Sequence, residues 1–212
     1  MTKRSVIIAG ATGLVGREIL AQLLVDDTVG EVHSLGRRAP ALEHPKLQAQ
    51  VVDFTTLPSL PQADEVYLAL GTTIKVAGSQ AAFRAVDYDA NLAVAKAALA
   101  AGAKKAGLVS AMGADARSKV FYSRVKGELE EALKQLRFDG LAIARPSLLI
   151  GDRASLGQPH RPGETISFAI GRALGFLIPA NYKPVEAKAV AQALLVNVPQ
   201  ARGSKVLLSG SM

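Results

Sequence analysis

The sequence contains no cysteine, no tryptophan and only three histidines. The missing cysteine excludes disulfides, thiol nucleophiles and thiolate metal centres. A zinc site would have to be assembled from His33, His44 and His160, which show no ligand spacing, so no metal is expected. Aromatic residues are few, which removes the stacking platform that single-stranded nucleic acid uses. The formal charge of +7 and a pI near 9.8 permit attraction to polyanions. The lysines and arginines are dispersed, however, and form no basic stripe, so a solvated basic surface is expected and nucleic acid is disfavoured as a partner. No uninterrupted apolar run reaches membrane-spanning length; the nearest, Ile166 to Ala180, is broken by Arg172. The apolar segment near Met1 is too short for a secretion signal. These absences point to a soluble, cytoplasmic protein without a membrane span.

Nearly half of the 212 residues are apolar, and many are alanine. That composition suits close helix-on-sheet packing in a single α/β domain over 1–212. The informative stretch is Gly10-Ala11-Thr12-Gly13-Leu14-Val15-Gly16, directly after the apolar run Val6–Ala9. A β-branched run, a glycine turn and then an amphipathic segment (Leu14, Ile19, Leu20, Leu23, Leu24) read as strand, turn and helix. Glycines let the backbone turn tightly and approach phosphates, and a helix N-terminus offers free N–H groups. The spacing departs from G-x-G-x-x-G, because Ala11 stands where its first glycine would be and Gly10 sits one place earlier.

Further strands are expected at Glu31–Leu35, Leu47–Val52, Glu65–Leu70 and Ala106–Val109, with helices between them. This alternation predicts a doubly wound parallel sheet of the Rossmann type. The second strand ends in Gly36-Arg37-Arg38. An acid at that strand end would favour NAD; two arginines, whose planar forks suit phosphate oxygens, favour the 2′-phosphate of NADP. Asp53, after the third strand, either accepts from the adenine amino group or caps the next turn. Gly71-Thr72-Thr73, after the fourth, faces the crevice by the strand-end rule. Ser79 to Ala101 reads as one long helix, stopped by Gly102. Tyr88 and Asn91 on it are either functional or simply polar positions on a helix face.

A second chemical motif is Tyr122-Ser-Arg-Val-Lys126, opening a helix to about Leu136 with Val125, Leu129, Leu133 and Leu136 as its buried stripe. Residues four apart share a helix face. An ammonium beside a phenol favours phenolate and makes the tyrosine a usable proton donor or acceptor. Ser110, at the end of the fifth strand, is placed to steady a substrate carbonyl by hydrogen bond.

The order and spacing of these motifs, with Leu70-Gly-Thr-Thr73, Phe138-Asp139, Arg145-Pro146 and Arg161-Pro-Gly-Glu164, resemble the short-chain dehydrogenase/reductase superfamily in its atypical or extended branch. They are most similar to its Tat-interacting-protein oxidoreductase group, over nearly the whole chain. The resemblance implies that Gly10, Thr12, Gly13, Leu14, Val15 and Gly16 wrap the pyrophosphate. It assigns the 2′-phosphate to Arg37 and Arg38 and the adenosine side to Gly71 and Thr72. Lys126 would bind the nicotinamide ribose and lower the Tyr122 pKa. Tyr122 would protonate the oxygen as hydride reaches the carbonyl carbon, with Ser110 steadying it. Leu149 would flank the nicotinamide, and Arg161 would close on the cofactor. The implied function is NADPH-dependent reduction of a small carbonyl substrate. The alternative is an NADPH-binding redox sensor or interaction module without turnover.

Residues 151–185 read as a small cap. A polar loop (Gly151–Gly163) is followed by an apolar helical stretch (Thr165–Ile178), then by a helix from about Glu186 to Val196 and a final strand at Lys205–Leu208. So small a cap argues against bulky substrates such as nucleotide sugars. The Phe168, Ile170, Leu174, Phe176, Leu177 cluster suits core, or a contact between two copies in a homodimer, better than a substrate lid.

Overall fold

The computed structural model describes residues 3–151 and 179–212. Seven parallel strands form one sheet: β1 (Arg4–Ala9), β2 (Val29–Gly36), β3 (Leu47–Val51), β4 (Glu65–Leu68), β5 (Lys105–Val109), β6 (Gly140–Arg145) and β9 (Gly203–Leu208). Their order is β3-β2-β1-β4-β5-β6-β9, so the chain reverses direction across the sheet between β1 and β4. In a doubly wound sheet that reversal opens a crevice beyond the strand carboxyl ends. A separate pair, β7 (Leu149–Ile150) and β8 (Val185–Glu186), brackets the second undescribed segment.

The inner strands are buried on both faces, which is why they read as continuous apolar runs. In β1, Val6 and Ile8 join one core, while Ile7 and Ala9 join the other. The first core is closed by α1 (Leu14–Val25) and α6 (Ala187–Asn197). The second is closed by α4 (Asn91–Ala100) and α5 (Phe121–Gln135), through Val94, Ala98, Leu129 and Leu133. Among the described residues, no helix is long and apolar enough to cross a membrane, and no three potential metal ligands cluster.

The expected doubly wound sheet is therefore present, and it differs in detail. The long helix is not uniform: α3 (Gln80–Arg84) runs into a π-helical turn (Ala85–Ala90) before α4. Ser79 caps its start by accepting from the Ala82 N–H at 3.0 Å, and Gly102, at φ +100°, ends it. A short helix, α2 (Ile74–Ala77), precedes it, capped by the Thr73 hydroxyl. The fourth strand stops at Leu68, two residues short of expectation. The strand β6 was not anticipated at all. Its Gly-Leu-Ala-Ile-Ala-Arg run has little of the β-branched character that marks a strand, yet Gly140–Ala144 is wholly buried between β5 and β9. Leu136 is only half-buried, unlike Val125, Leu129 and Leu133. The apolar cluster at Phe168–Leu177 lies outside the described residues.

Candidate functional site

The crevice is built on the glycine turn. Gly10 sits at φ +90°, and a β-carbon there would lie 2.6 Å from the Ala69 carbonyl carbon. Only glycine can run this close to the tip of β4. A β-carbon on Gly16 would fall 2.1 Å from the Gly10 carbonyl oxygen, so helix and turn touch through backbone alone. The Gly10 N–H donates to the Leu35 carbonyl at 3.2 Å, tying the turn to the end of β2. Gly13 is the extended N-cap of α1, and no side chain among the described residues caps that end. Uncapped N–H groups and the positive end of the helix dipole face the crevice, the requirement for holding a pyrophosphate. The expected residues therefore form a cradle that fits a dinucleotide.

Around this cradle, Arg37 and Arg38 lie exposed just past β2. Gly71 and Thr72 follow the tip of β4 at the switch point. Leu149 packs against the first core, next to the start of α1; a β-carbon on Gly151 would meet Leu14 Cδ1 at 2.6 Å. Asp53 follows β3, the edge strand of the sheet. Its Oδ1 accepts from the Thr55 N–H at 2.9 Å and from the Thr55 hydroxyl at 2.8 Å, so of the two roles open to it the capping one is realised. Those two hydrogen bonds lower its pKa. Arg161 lies outside the described residues.

The chemical motif lies on α5. Tyr122, Lys126 and Glu130 are spaced at i, i+4 and i+8 and so share one helix face. The Tyr122 ring packs on Phe83 with centroids 5.5 Å apart. Lys126 is buried, and its Nζ is 2.8 Å from Oδ1 of the equally buried Asp87. Ser110 follows β5, held by its N–H donating to the Ala144 carbonyl at 2.8 Å. Its hydroxyl donates to Glu130 Oε1 at 2.5 Å. Glu130 also accepts from Arg145, through Nε at 3.0 Å and Nη2 at 2.6 Å. The Glu130 hydrogen bond raises the Arg145 pKa despite its partial burial. Each buried carboxylate thus has one cation, the condition under which charges are tolerated in a core.

Sequence reasoning missed Asp87 and Glu130. The only hint of Glu130 was its helical register with Tyr122 and Lys126. Asn91, left open between two roles, is fully buried; its Nδ2 donates to the Leu70, Val86 and Asp87 carbonyls. Tyr88 is half-buried beneath the Arg84 guanidinium, 4.3 Å from its ring centroid.

The family described as NAD(P)H-binding matches residues 10–155, which hold the glycine turn, Ser110 and the Tyr122–Lys126 pair. The chain belongs to this NAD(P)H-binding family. Its relatives include HTATIP2, and its fold is that of short-chain dehydrogenases. It is 37% identical over 174 residues to Protein HTATIP2 of Rattus norvegicus, covering 79% of this chain and 70% of that one. It is 36% identical over 181 residues to the mitochondrial protein fmp52 of Emericella nidulans, covering 81% and 76%. The fold matches UDP-N-acetylglucosamine 4-epimerase from Methanobrevibacter ruminantium M1, with a TM-score of 0.73 at 16% identity, over 98% of this chain and 77% of that one. It also matches a short chain dehydrogenase family protein from Francisella tularensis, with a TM-score of 0.71 at 12% identity, over 99% and 98%.

The comparisons correct one expectation. The cytoplasmic location does not stand, because relatives from Emericella nidulans, Candida albicans and Coccidioides immitis are named mitochondrial. The physical reason is that lacking a membrane span selects no compartment.

Proposed function

We propose that this NAD(P)H-binding protein is an NADPH-dependent reductase of a small carbonyl compound. The observation that carries the reading is the placement of Tyr122 and Lys126 on one face of α5, in the fold whose glycine turn fits a dinucleotide. When bound, the dinucleotide would supply the hydride for the carbonyl carbon. Arg37 and Arg38 hold the 2′-phosphate, and the uncapped start of α1 holds the pyrophosphate. The Lys126 ammonium, paired with Asp87 at 2.8 Å, would hold the nicotinamide ribose. The Tyr122 phenol gives its proton to the carbonyl oxygen, so hydride and proton together yield the alcohol. Ser110 steadies that oxygen by swinging its hydrogen from Glu130 to the substrate.

Calorimetric titration with NADPH and NADH tests the cofactor. Tighter binding of NADPH that Arg37→Ala removes is expected; binding of neither would end the reading. On a carbonyl substrate found by screening, Tyr122→Phe should cut turnover by about 10²–10⁴-fold with cofactor affinity preserved. Unchanged turnover would remove the tyrosine from the mechanism. Two contacts favour a second reading, an NADPH-binding module that turns nothing over: the Ser110 hydrogen is engaged by Glu130 and the Lys126 ammonium by Asp87. Capture of a partner that requires NADPH and survives Tyr122→Phe would select it.

A further inference from the structure

Asp87 is a buried acid with two unrelated attachments. One carboxylate oxygen, Oδ1, pairs with Lys126 Nζ at 2.8 Å; the other, Oδ2, accepts the Thr72 backbone N–H at 2.8 Å. Asp87 is 1% exposed and Lys126 5%, so bulk water does little to screen their attraction. Asp87 belongs to the π-helical turn, and wide turns of this kind recur at functional sites. The next residue after this turn, at the start of α4, fastens the same helix to the segment after β4: Asn91 Nδ2 donates to the Leu70 carbonyl at 3.1 Å. A β-carbon on Gly71 would itself lie only 3.6 Å from Asp87 Oδ1. Segment 70–72, the π turn and the Lys126 ammonium are therefore one connected unit on the wall of the crevice.

From this we infer that Asp87 is a positioning residue for the proposed reaction: it aims the Lys126 ammonium at the nicotinamide half of the dinucleotide and registers it against the Gly71-Thr72 turn. A lysine side chain is long and flexible, and an ammonium is a point charge without directional preference. Without a fixed partner it would sample many rotamers. With the Oδ1 counter-charge fixed 2.8 Å away, the ammonium is held at one place on the crevice wall. The carboxylate is a helper of the lysine and touches no reacting atom.

This inference rests on the NADPH reading, and the test separates the two. Wild-type protein, Asp87→Asn, Lys126→Met and the double variant are titrated with NADPH and with adenosine 2′,5′-bisphosphate, which lacks the nicotinamide half. Asparagine keeps an acceptor for the Thr72 N–H and removes only the charge. Asp87→Asn should weaken NADPH at least about tenfold, which is about 1.4 kcal/mol, and change the bisphosphate less than twofold. The double variant should bind NADPH no worse than Lys126→Met alone, since the effect runs through the lysine. Equal losses for both ligands, or losses that multiply in the double variant, would overturn the positioning role and leave the NADPH reading intact. Wild-type protein that binds neither NADPH nor NADH would overturn both. Should Asp87→Asn fail to fold, Asp87→Glu keeps the charge and displaces the carboxylate by one methylene. The same selective loss of NADPH is then expected, and unchanged NADPH affinity would overturn the role.

Discussion

A methyl group added at Gly16 would lie 2.1 Å from the Gly10 carbonyl oxygen, and backbone on both sides leaves it nowhere to go. Gly16→Ala is expected to cost about 3 kcal/mol, the upper end for overpacking, and to abolish NADPH binding. Urea denaturation and a cofactor titration read the two effects. Glu130 is fully buried and has two partners, Ser110 and Arg145. Glu130→Gln strands the Arg145 guanidinium, which is about a quarter exposed. The expected loss is about 3 kcal/mol in chemical denaturation, the low end for breaking a buried pair because solvent still reaches the arginine. A loss below about 1 kcal/mol would show that the guanidinium is satisfied elsewhere. At this scale the glycine turn was legible in the sequence because the positive φ of Gly10 and the Gly16–Gly10 approach are local demands, whereas the crowding of Gly10 by Ala69 was not. Asp87 and Glu130 were not legible. They are two of 18 acidic residues, and nothing local distinguishes them from solvated ones. Asp53 shows the converse: a cap needs only its neighbour Thr55, and it formed.

Helix α5 carries the candidate chemistry on one face and the second core on another, so its packing sets the aim of Tyr122. Leu133 is fully buried in that core. Leu133→Ala should destabilise the fold by about 2–5 kcal/mol, read as a lower denaturation midpoint at unchanged slope. The amphipathic stripe of α5 announced itself, as did β1, β2 and β5. β6 did not. β6 lies between β5 and β9 but is built largely of glycine, alanine and leucine, which carry no strand signature. The π turn escaped for a related reason. Alanine-rich sequence is compatible with α and π winding alike, and the choice follows from anchoring Asp87 and Asn91 to segment 70–72.

Across the whole molecule, Arg4 joins three elements: its guanidinium reaches Asp26 after α1 at 2.8 Å and Glu65 in β4 at 2.6 Å, and its strand is β1. Burial pushes the Asp26 pKa up, but the Thr28 hydrogen bonds and the Arg4 charge together outweigh it, and the net shift is downward. A lowered carboxyl contributes stability above its unfolded value near 3.8, and that stability is lost as pH falls through the folded value. The thermal midpoint should therefore drop below about pH 4, and Asp26→Asn should flatten part of that drop; an identical acid limb in the variant would assign it to other carboxyls. The sequence by itself determined the layer order, the glycine cradle, the arginines past β2 and the Tyr122–Lys126 register, because turn sterics and hydrophobic period act between near neighbours in the chain. Only the tertiary structure decided that β6 completes the sheet interior, that Lys126 is held by Asp87, and that Ser110 points its hydrogen at Glu130. Those outcomes depend on which distant groups share a water-poor space, and a buried charge takes the nearest partner the fold provides.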